Sequence, residues 1–251
     1  MKTTGNIILI TGGATGIGLA LAEVFVREGN QVTICGRRRE KLLLAQAKFP
    51  KLQFLVCDVS NDENRKELFE WTTSNYPGLN ILVNNAGIQR QIDFTKGTRD
   101  LLNSEDEIQT NFSAPVQLAA LFIPHLLKQD QAAILNVSSG LGFIPLTIMP
   151  IYCATKAALH SFSWSLRHQL RSTNVKVFEI IPPTVDTELD RGARAQRRQE
   201  YRGVPPSEVA EATLAGLDAD EFEITVGQSR GLRTNTPQEA EQIFQRMNGN
   251  W

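Results

Sequence analysis

Short runs of consecutive apolar residues alternate along the chain with longer stretches in which apolar positions recur at helical spacing. The runs are Asn6–Thr11, Gln31–Cys35, Gln53–Cys57, Ile81–Asn84, Ala132–Val137, Val175–Ile181 and Phe222–Val226. Val, Ile and Leu dominate them with little polar alternation, the pattern of strands covered on both faces. The helical stretches are Gly18–Gly29, Arg38–Lys48, a segment running toward Tyr76 with Ser60 and Glu63 as a capping box, Leu101–Gln129 and Tyr152–Arg171. Strand–helix alternation of this kind predicts a parallel α/β sheet with right-handed crossovers and helices on both faces. No repeat, low-complexity tract or linker interrupts it, so residues 1–251 read as one doubly wound domain. Two segments depart from the rhythm. Pro182–Pro206 holds Pro182, Pro183, Pro205 and Pro206 around a charged middle, and residues from about 184 to 206 read as a substrate loop. Thr236–Trp251 reads as a last helix with a frayed end.

Composition narrows the function classes. Apolar residues make up 41% and charged residues 21%, with a formal net charge of -1. That balance lacks the concentrated basic face of a nucleic-acid binder. No apolar run approaches the ~18 residues of a membrane span, and the start has no signal-peptide layout, so the expected location is the cytoplasm and no membrane partner is expected. Cys35, Cys57 and Cys153 are an odd number without tight spacing, which argues against a disulfide framework. Cys35 and Cys57 lie in strand runs and read as small buried hydrophobes. His125, His160 and His168 show no ligand spacing with them, so no metal is expected; His160 and His168 read as packing or interface residues.

The chemistry starts where the first strand ends. Thr11-Gly12-Gly13-Ala14-Thr15-Gly16-Ile17-Gly18 opens directly into a helix. Glycines allow a sharp turn and close approach to a pyrophosphate, and the helix N-terminus offers free N–H groups to it. Gly12, Thr15, Gly16, Ile17 and Gly18 are therefore candidate dinucleotide contacts. After the second strand an acidic residue would suit NAD, but Gly36 is followed by Arg37, Arg38 and Arg39. A guanidinium pairs with a 2′-phosphate, so Arg37 and Arg38 point to NADP(H), with NAD(H) possible; at least one of the three arginines reads as surface charge. Asp58 and Val59 end the third strand beside the expected adenine position, where Asp58 competes for the role of helix cap. Asn84-Asn85-Ala86-Gly87 ends the fourth, with Asn85, Ala86 and Gly87 leaving room for the cofactor.

Tyr152 and Lys156 are four apart on a predicted helix and share a face. Ser139 precedes Tyr152 by thirteen positions, and Asn111 falls in the long helix before it. Carbonyl reduction needs a proton at oxygen while hydride reaches carbon. A nearby ammonium brings a phenol of pKa about 10 closer to working pH. Lys156 can do this for Tyr152 and also bind the nicotinamide ribose, Ser139 can stabilise charge on the substrate oxygen, and Asn111 could hold a relay water.

Together the glycine turn, Asn84-Asn85-Ala86-Gly87, Asn111, Asn136-Val137-Ser138-Ser139 and Tyr152-xxx-Lys156 resemble a short-chain dehydrogenase/reductase from Ile7 to about Val226. The resemblance implies a single-domain Rossmann fold with a seven-stranded sheet, an Asn111–Ser139–Tyr152–Lys156 tetrad with Ser139 rather than Ser138 as its serine, NAD(P), and a homodimer or homotetramer. It also implies nicotinamide contacts from Pro182, Val185 and Thr187, although Pro183 stands where the family has glycine and offers no N–H. Asn84–Arg90, Pro124–Gln129 and Tyr152–Leu170 are similar to a bacterial subgroup associated with D-alanine esterification of teichoic acids, a kinship that does not fix the reaction. Leu141, Phe143, Ile144 and Met149, between Ser139 and Tyr152, read as an apolar substrate wall suited to a hydrophobic ketone or secondary alcohol. The alternatives are an NAD-dependent alcohol dehydrogenase of the same family and a cofactor sensor without turnover; a nucleotide-sugar epimerase is disfavoured by the glycine spacing and the short tail.

Overall fold

The computed structural model describes residues 1–102, 106–189, 203–233 and 235–249. In chain order the elements are β1 (Ile7–Thr11), α1 (Gly16–Arg27), β2 (Gln31–Gly36), α2 (Arg39–Lys48), β3 (Gln53–Val56), α3 (Asp62–Asn75), β4 (Ile81–Asn84), α4 (Arg99–Leu102), α5 (Ala114–Leu126), β5 (Ala132–Val137), α6 (Pro150–Gln169), β6 (Val175–Ile181), α7 (Pro206–Asp218), β7 (Glu223–Thr225), α8 (Ser229–Arg233) and α9 (Pro237–Asn248). The strands form one seven-stranded sheet in the order β3-β2-β1-β4-β5-β6-β7, with every pairing parallel. This is the doubly wound Rossmann-type fold that the alternation predicts.

The apolar strand runs have a direct physical reason. In β1, Ile8 and Ile10 face one core layer with Leu21 and Phe25 of α1, while Leu9 faces the other with Phe122 of α5. β4 and β5 divide in the same way: Ile81, Val83, Ala133 and Leu135 on the first side, Leu82, Ala132 and Ile134 on the second. A strand with a helix layer on each face has no solvent side, so period-2 polarity disappears. Cys35 and Cys57 pack in the second layer, and all three cysteines are free and buried.

Two sequence expectations need correction. The stretch Leu101–Gln129 is not one helix. Asp106 Oδ1 accepts from the N–H groups of Ile108 and Gln109 at 2.8 and 3.1 Å, starting a new segment. It passes through a π-helical turn, Gln109–Ser113, before α5. The turn carries Asn111, in keeping with the habit of π-bulges to sit at functional places. Nor do Ser60 and Glu63 cap α3. Asn61 is the N-cap, its side chain accepting from Asn64 N, and Ser60 instead donates its N–H and Oγ–H to Asp58 Oδ1 at 3.0 and 2.7 Å. Asn61 outcompetes Ser60 because its side-chain oxygen reaches the N3 amide one residue later.

A buried polar bridge ties together the elements that carry the site. Asn84 Nδ2 on β4 donates to Asn136 Oδ1 on β5 at 2.9 Å. Asn136 Nδ2 donates to Ser163 Oγ on α6, also at 2.9 Å. Asn136 and Ser163 are fully buried, so each lost partner would leave a desolvated group unsatisfied. Asn136→Ala is therefore expected to lower the unfolding free energy by about 2–3 kcal/mol in a urea titration, whereas the exposed Leu43→Ala should stay within about 0.5 kcal/mol of the parent.

Candidate active site

The strand order reverses between β1 and β4, and a crevice opens beyond the carboxyl ends of those strands, where doubly wound sheets bind ligands. It is a cleft of about 1260 Å³ that runs from the glycine turn to the start of α6.

At one end, α1 begins on the cleft wall. Its N-cap Thr15 makes no side-chain cap bond and its first turn carries no acidic residue. The orphan N–H groups and the positive end of the helix dipole thus face the cleft without an internal anion, which suits a pyrophosphate. Gly16 has φ +57°, where a side chain is strained, and a Cβ on it would stand 3.0 Å from Thr187 Cγ2. A Cβ on Gly18 would stand 2.4 Å from Gly12 O and 2.5 Å from Asn85 Nδ2. Gly18 therefore sits behind the cleft surface and permits the close packing of helix on turn. Thr11 Oγ1 accepts from Asn85 N and Ala86 N at 3.0 and 3.1 Å, and Asn85 Nδ2 donates to Thr11 O and Gly12 O. These bonds lock the glycine turn to the end of β4. Thr11 does this positioning, whereas the sequence places it at the head of the glycine turn without assigning it a role.

Arg37, Arg38, Asp58, Val59, Ala86 and Gly87 all line the adjacent wall. Asp58 lines the cleft and does not cap α3, since Asn61 takes that place and Asp58 Oδ1 instead accepts from Ser60 N and Oγ. Arg39 opens α2 and is exposed outside the cleft.

At the other end, Ser139, Tyr152 and Lys156 meet on one wall. Lys156 is 4% exposed and donates to Val137 O at 2.8 Å. Its Nζ lies 5.6 Å from the centroid of the Tyr152 ring. Burial pushes the Lys156 ammonium down to about 8, with the negative charge of Glu179 opposing the shift. Ser139 and Ser138 are told apart by their partners. Ser138 Oγ donates to the fully buried Glu179 carboxylate at 2.5 Å, whereas Ser139 Oγ accepts from Leu141 N at 3.1 Å at the cleft edge. Asn111 lies behind this wall, fully buried. Its Oδ1 accepts from Ile88 N and its Nδ2 donates to Ile88 O, each at 2.9 Å, and Nδ2 also reaches Thr155 Oγ1.

Pro182, Pro183, Val185 and Thr187 also line the cleft. Pro182 O accepts from Gly140 N at 3.0 Å, and Val185 pairs with Val204 in a short parallel bridge. Residues 190–202 of the expected substrate loop lie outside the described residues. Of the four residues expected on the substrate wall, Leu141 and Met149 line the cleft and Phe143 and Ile144 do not. Phe143 turns instead to His160, ring centroids 4.7 Å apart, with the Arg233 guanidinium over its face. Ile144 is buried beneath the loop. The apolar wall is completed from a distant part of the chain, by Leu232 of α8 and Ile243 and Met247 of α9. Asn248 fastens that helix across the site: its Oδ1 accepts from Thr147 N and Oγ1 at 2.8 and 2.9 Å. Among the described residues, His160, Glu179 and Glu223 bring donor atoms within 4.8 Å of one another. These carboxylates already serve Ser138, His160, Trp164 and Arg233.

The chain matches the short chain dehydrogenase family over residues 6–198. It belongs to that family. As a short-chain dehydrogenase it is an oxidoreductase working between alcohol and carbonyl carbon. It is 50% identical over 248 residues to DltE of Bacillus subtilis (strain 168), an uncharacterized oxidoreductase, covering 99% of this chain and 98% of that protein. A short-chain dehydrogenase from Burkholderia cenocepacia J2315 in complex with NADP superposes with a TM-score of 0.81 at 24% identity, covering 98% and 99% of the two chains. One from Burkholderia phymatum in complex with NAD gives 0.83 at 22% identity, covering 97% and 96%. The same fold thus holds either cofactor in other members. No helix among the described residues is long and apolar enough to cross a membrane.

The buried Lys156 gives a signed prediction. Its folded pKa of about 8 lies below the ordinary 10.5, so between these values the unfolded chain binds more protons than the native one and stability rises with pH. Measured as unfolding free energy relative to Lys156→Met, the parent should gain on the variant from pH 8 to pH 10.5, by at most about 1.4 kcal/mol per pH unit.

Proposed function

We propose that this short-chain dehydrogenase transfers a hydride between NADP(H) and an apolar ketone or secondary alcohol. The observation that carries the reading is one continuous cleft with Arg37, Arg38 and an unopposed helix N-terminus at one end and Tyr152, Lys156 and Ser139 at the other. The dinucleotide supplies or accepts the hydride at its nicotinamide ring; the chain supplies everything else. The turn from Gly12 to Ile17 would hold the pyrophosphate, Arg37 and Arg38 the 2′-phosphate, and Asp58 and Val59 the adenine. Pro182, Val185 and Thr187 hold the nicotinamide end.

In the reducing direction the substrate oxygen accepts a hydrogen bond from Ser139 Oγ–H and a proton from Tyr152 Oη. Positive charge on Lys156 favours the phenolate left behind, lowering the barrier to that transfer. Asn111, clamped to the Ile88 backbone and set beside Gly87, keeps the wall behind Lys156 in shape and positions a relay water. Leu141, Leu146, Met149, Leu232 and Met247 exclude water from the reacting carbon and accept an apolar substituent. Exposed Ile108 and Leu127 flank α5 and offer apolar side chains to the contact of a homodimer or homotetramer.

Two measurements test this. With NADPH and a panel of aryl and alkyl ketones, Tyr152→Phe should lower kcat by about 10²–10⁴ while its NADPH Kd stays within about threefold of the parent; unchanged turnover would remove the assigned proton donor. In fluorescence titrations the parent should bind NADPH more tightly than NADH, and Arg37→Ala and Arg38→Ala should erase the difference. Equal binding of both cofactors by parent and variants would make the arginines plain surface charge.

A further inference from the structure

Arg38 already has an anion. Its Nη1 lies 3.0 Å from Glu188 Oε2, and Glu188 Oε1 lies 2.9 Å from Lys41 Nζ in the first turn of α2. Arg38 Nη2 also reaches Thr15 Oγ1, the N-cap of α1, at 3.4 Å. Glu188 comes from far along the chain, one residue past Thr187, and lines the same cleft as Arg37, Arg38 and Thr15. The segment from Pro182 to Glu188 therefore straps the cleft from the Ser139 side to the end of β2.

A carboxylate bridging a guanidinium and an ammonium makes the same kind of charge-assisted hydrogen bonds as a phosphate on those groups. Two anions on the same pair repel each other and compete for the same donors. We propose that Glu188 is a cofactor-specificity residue: its carboxylate stands in for the 2′-phosphate on Arg38 and Lys41 and must leave when NADP(H) binds. This rests on the reading that Arg38 recognises the 2′-phosphate. NAD(H), with a ribose hydroxyl at that position, leaves the bridge intact. Glu188 thus narrows the gap between the two cofactors and couples the strap to the presence of the extra phosphate. Lys41 becomes a second 2′-phosphate ligand, supplied from α2 where Ala14 of the glycine turn offers no basic group. The bridge holds the Glu188 carboxyl below the usual carboxylate range, through Lys41 first and Arg38 second, so it is ionised at neutral pH. The three side chains are 32–51% exposed. Exposed ion pairs are individually weak, so the effect is a modest bias.

The test is a fluorescence titration of the full chain with NADPH and with NADH, for the parent, Glu188→Gln, Lys41→Met and Arg38→Ala. Glu188→Gln should tighten NADPH binding about three- to tenfold and change NADH binding less than twofold, and Lys41→Met should weaken NADPH alone. If Arg38→Ala weakens NADPH but Glu188→Gln leaves it within twofold, or tightens both cofactors equally, the role of Glu188 is overturned while the cofactor reading stands. If the parent does not prefer NADPH and Arg38→Ala has no effect, the cofactor reading fails and the role of Glu188 falls with it.

Discussion

The geometry of the cleft depends on how closely the turn after β1 approaches the end of β4. Thr11 Oγ1 receives two backbone N–H groups from Asn85 and Ala86, and Asn85 returns its amide to Thr11 O and Gly12 O. Only glycine at position 18 lets α1 press onto this junction. The contact falls where the strand order reverses, so the same bonds that fix β1 against β4 aim the N-terminus of α1 into the crevice. The crevice itself reaches from α1 to the start of α6.

The opposite wall is built by spending burial on polar groups. Lys156, Asn111, Asn136, Ser163 and Glu179 are all buried, and each has a hydrogen-bond partner. A lysine in such surroundings loses its proton more easily than in water, which brings its titration down to about 8. Rigid partners on β4, β5 and α6 keep Tyr152 and Lys156 in register with the glycine turn.

What the sequence made legible was local. The central runs β1, β4 and β5 are buried on both faces, so apolar continuity suffices to find them. Tyr152 and Lys156 sit one helical turn apart, and the glycine turn spans a few residues, so spacing alone places both. The parts not legible depend on meetings between distant segments. Ile243 and Met247 reach the cleft from α9, whose Asn248 bonds Thr147, about a hundred positions away. Glu188 meets Arg38 across 150 positions. Phe143 sits in the predicted wall segment, yet His160 and Arg233 offer its ring a better aromatic and cationic contact outside the cleft. The break before α5 is set by the single carboxylate of Asp106, which the apolar periodicity around it conceals.

The central claim is that this cleft passes a hydride from the nicotinamide to a carbonyl carbon. The most direct measurement follows an isotope: the protein is incubated with an apolar ketone and NADPH dideuterated at nicotinamide C4, and the alcohol is read by mass spectrometry and NMR. The account predicts one deuterium on the carbinol carbon and none elsewhere. Alcohol formed without deuterium at that carbon, or no alcohol from any ketone with either NADPH or NADH, would contradict it.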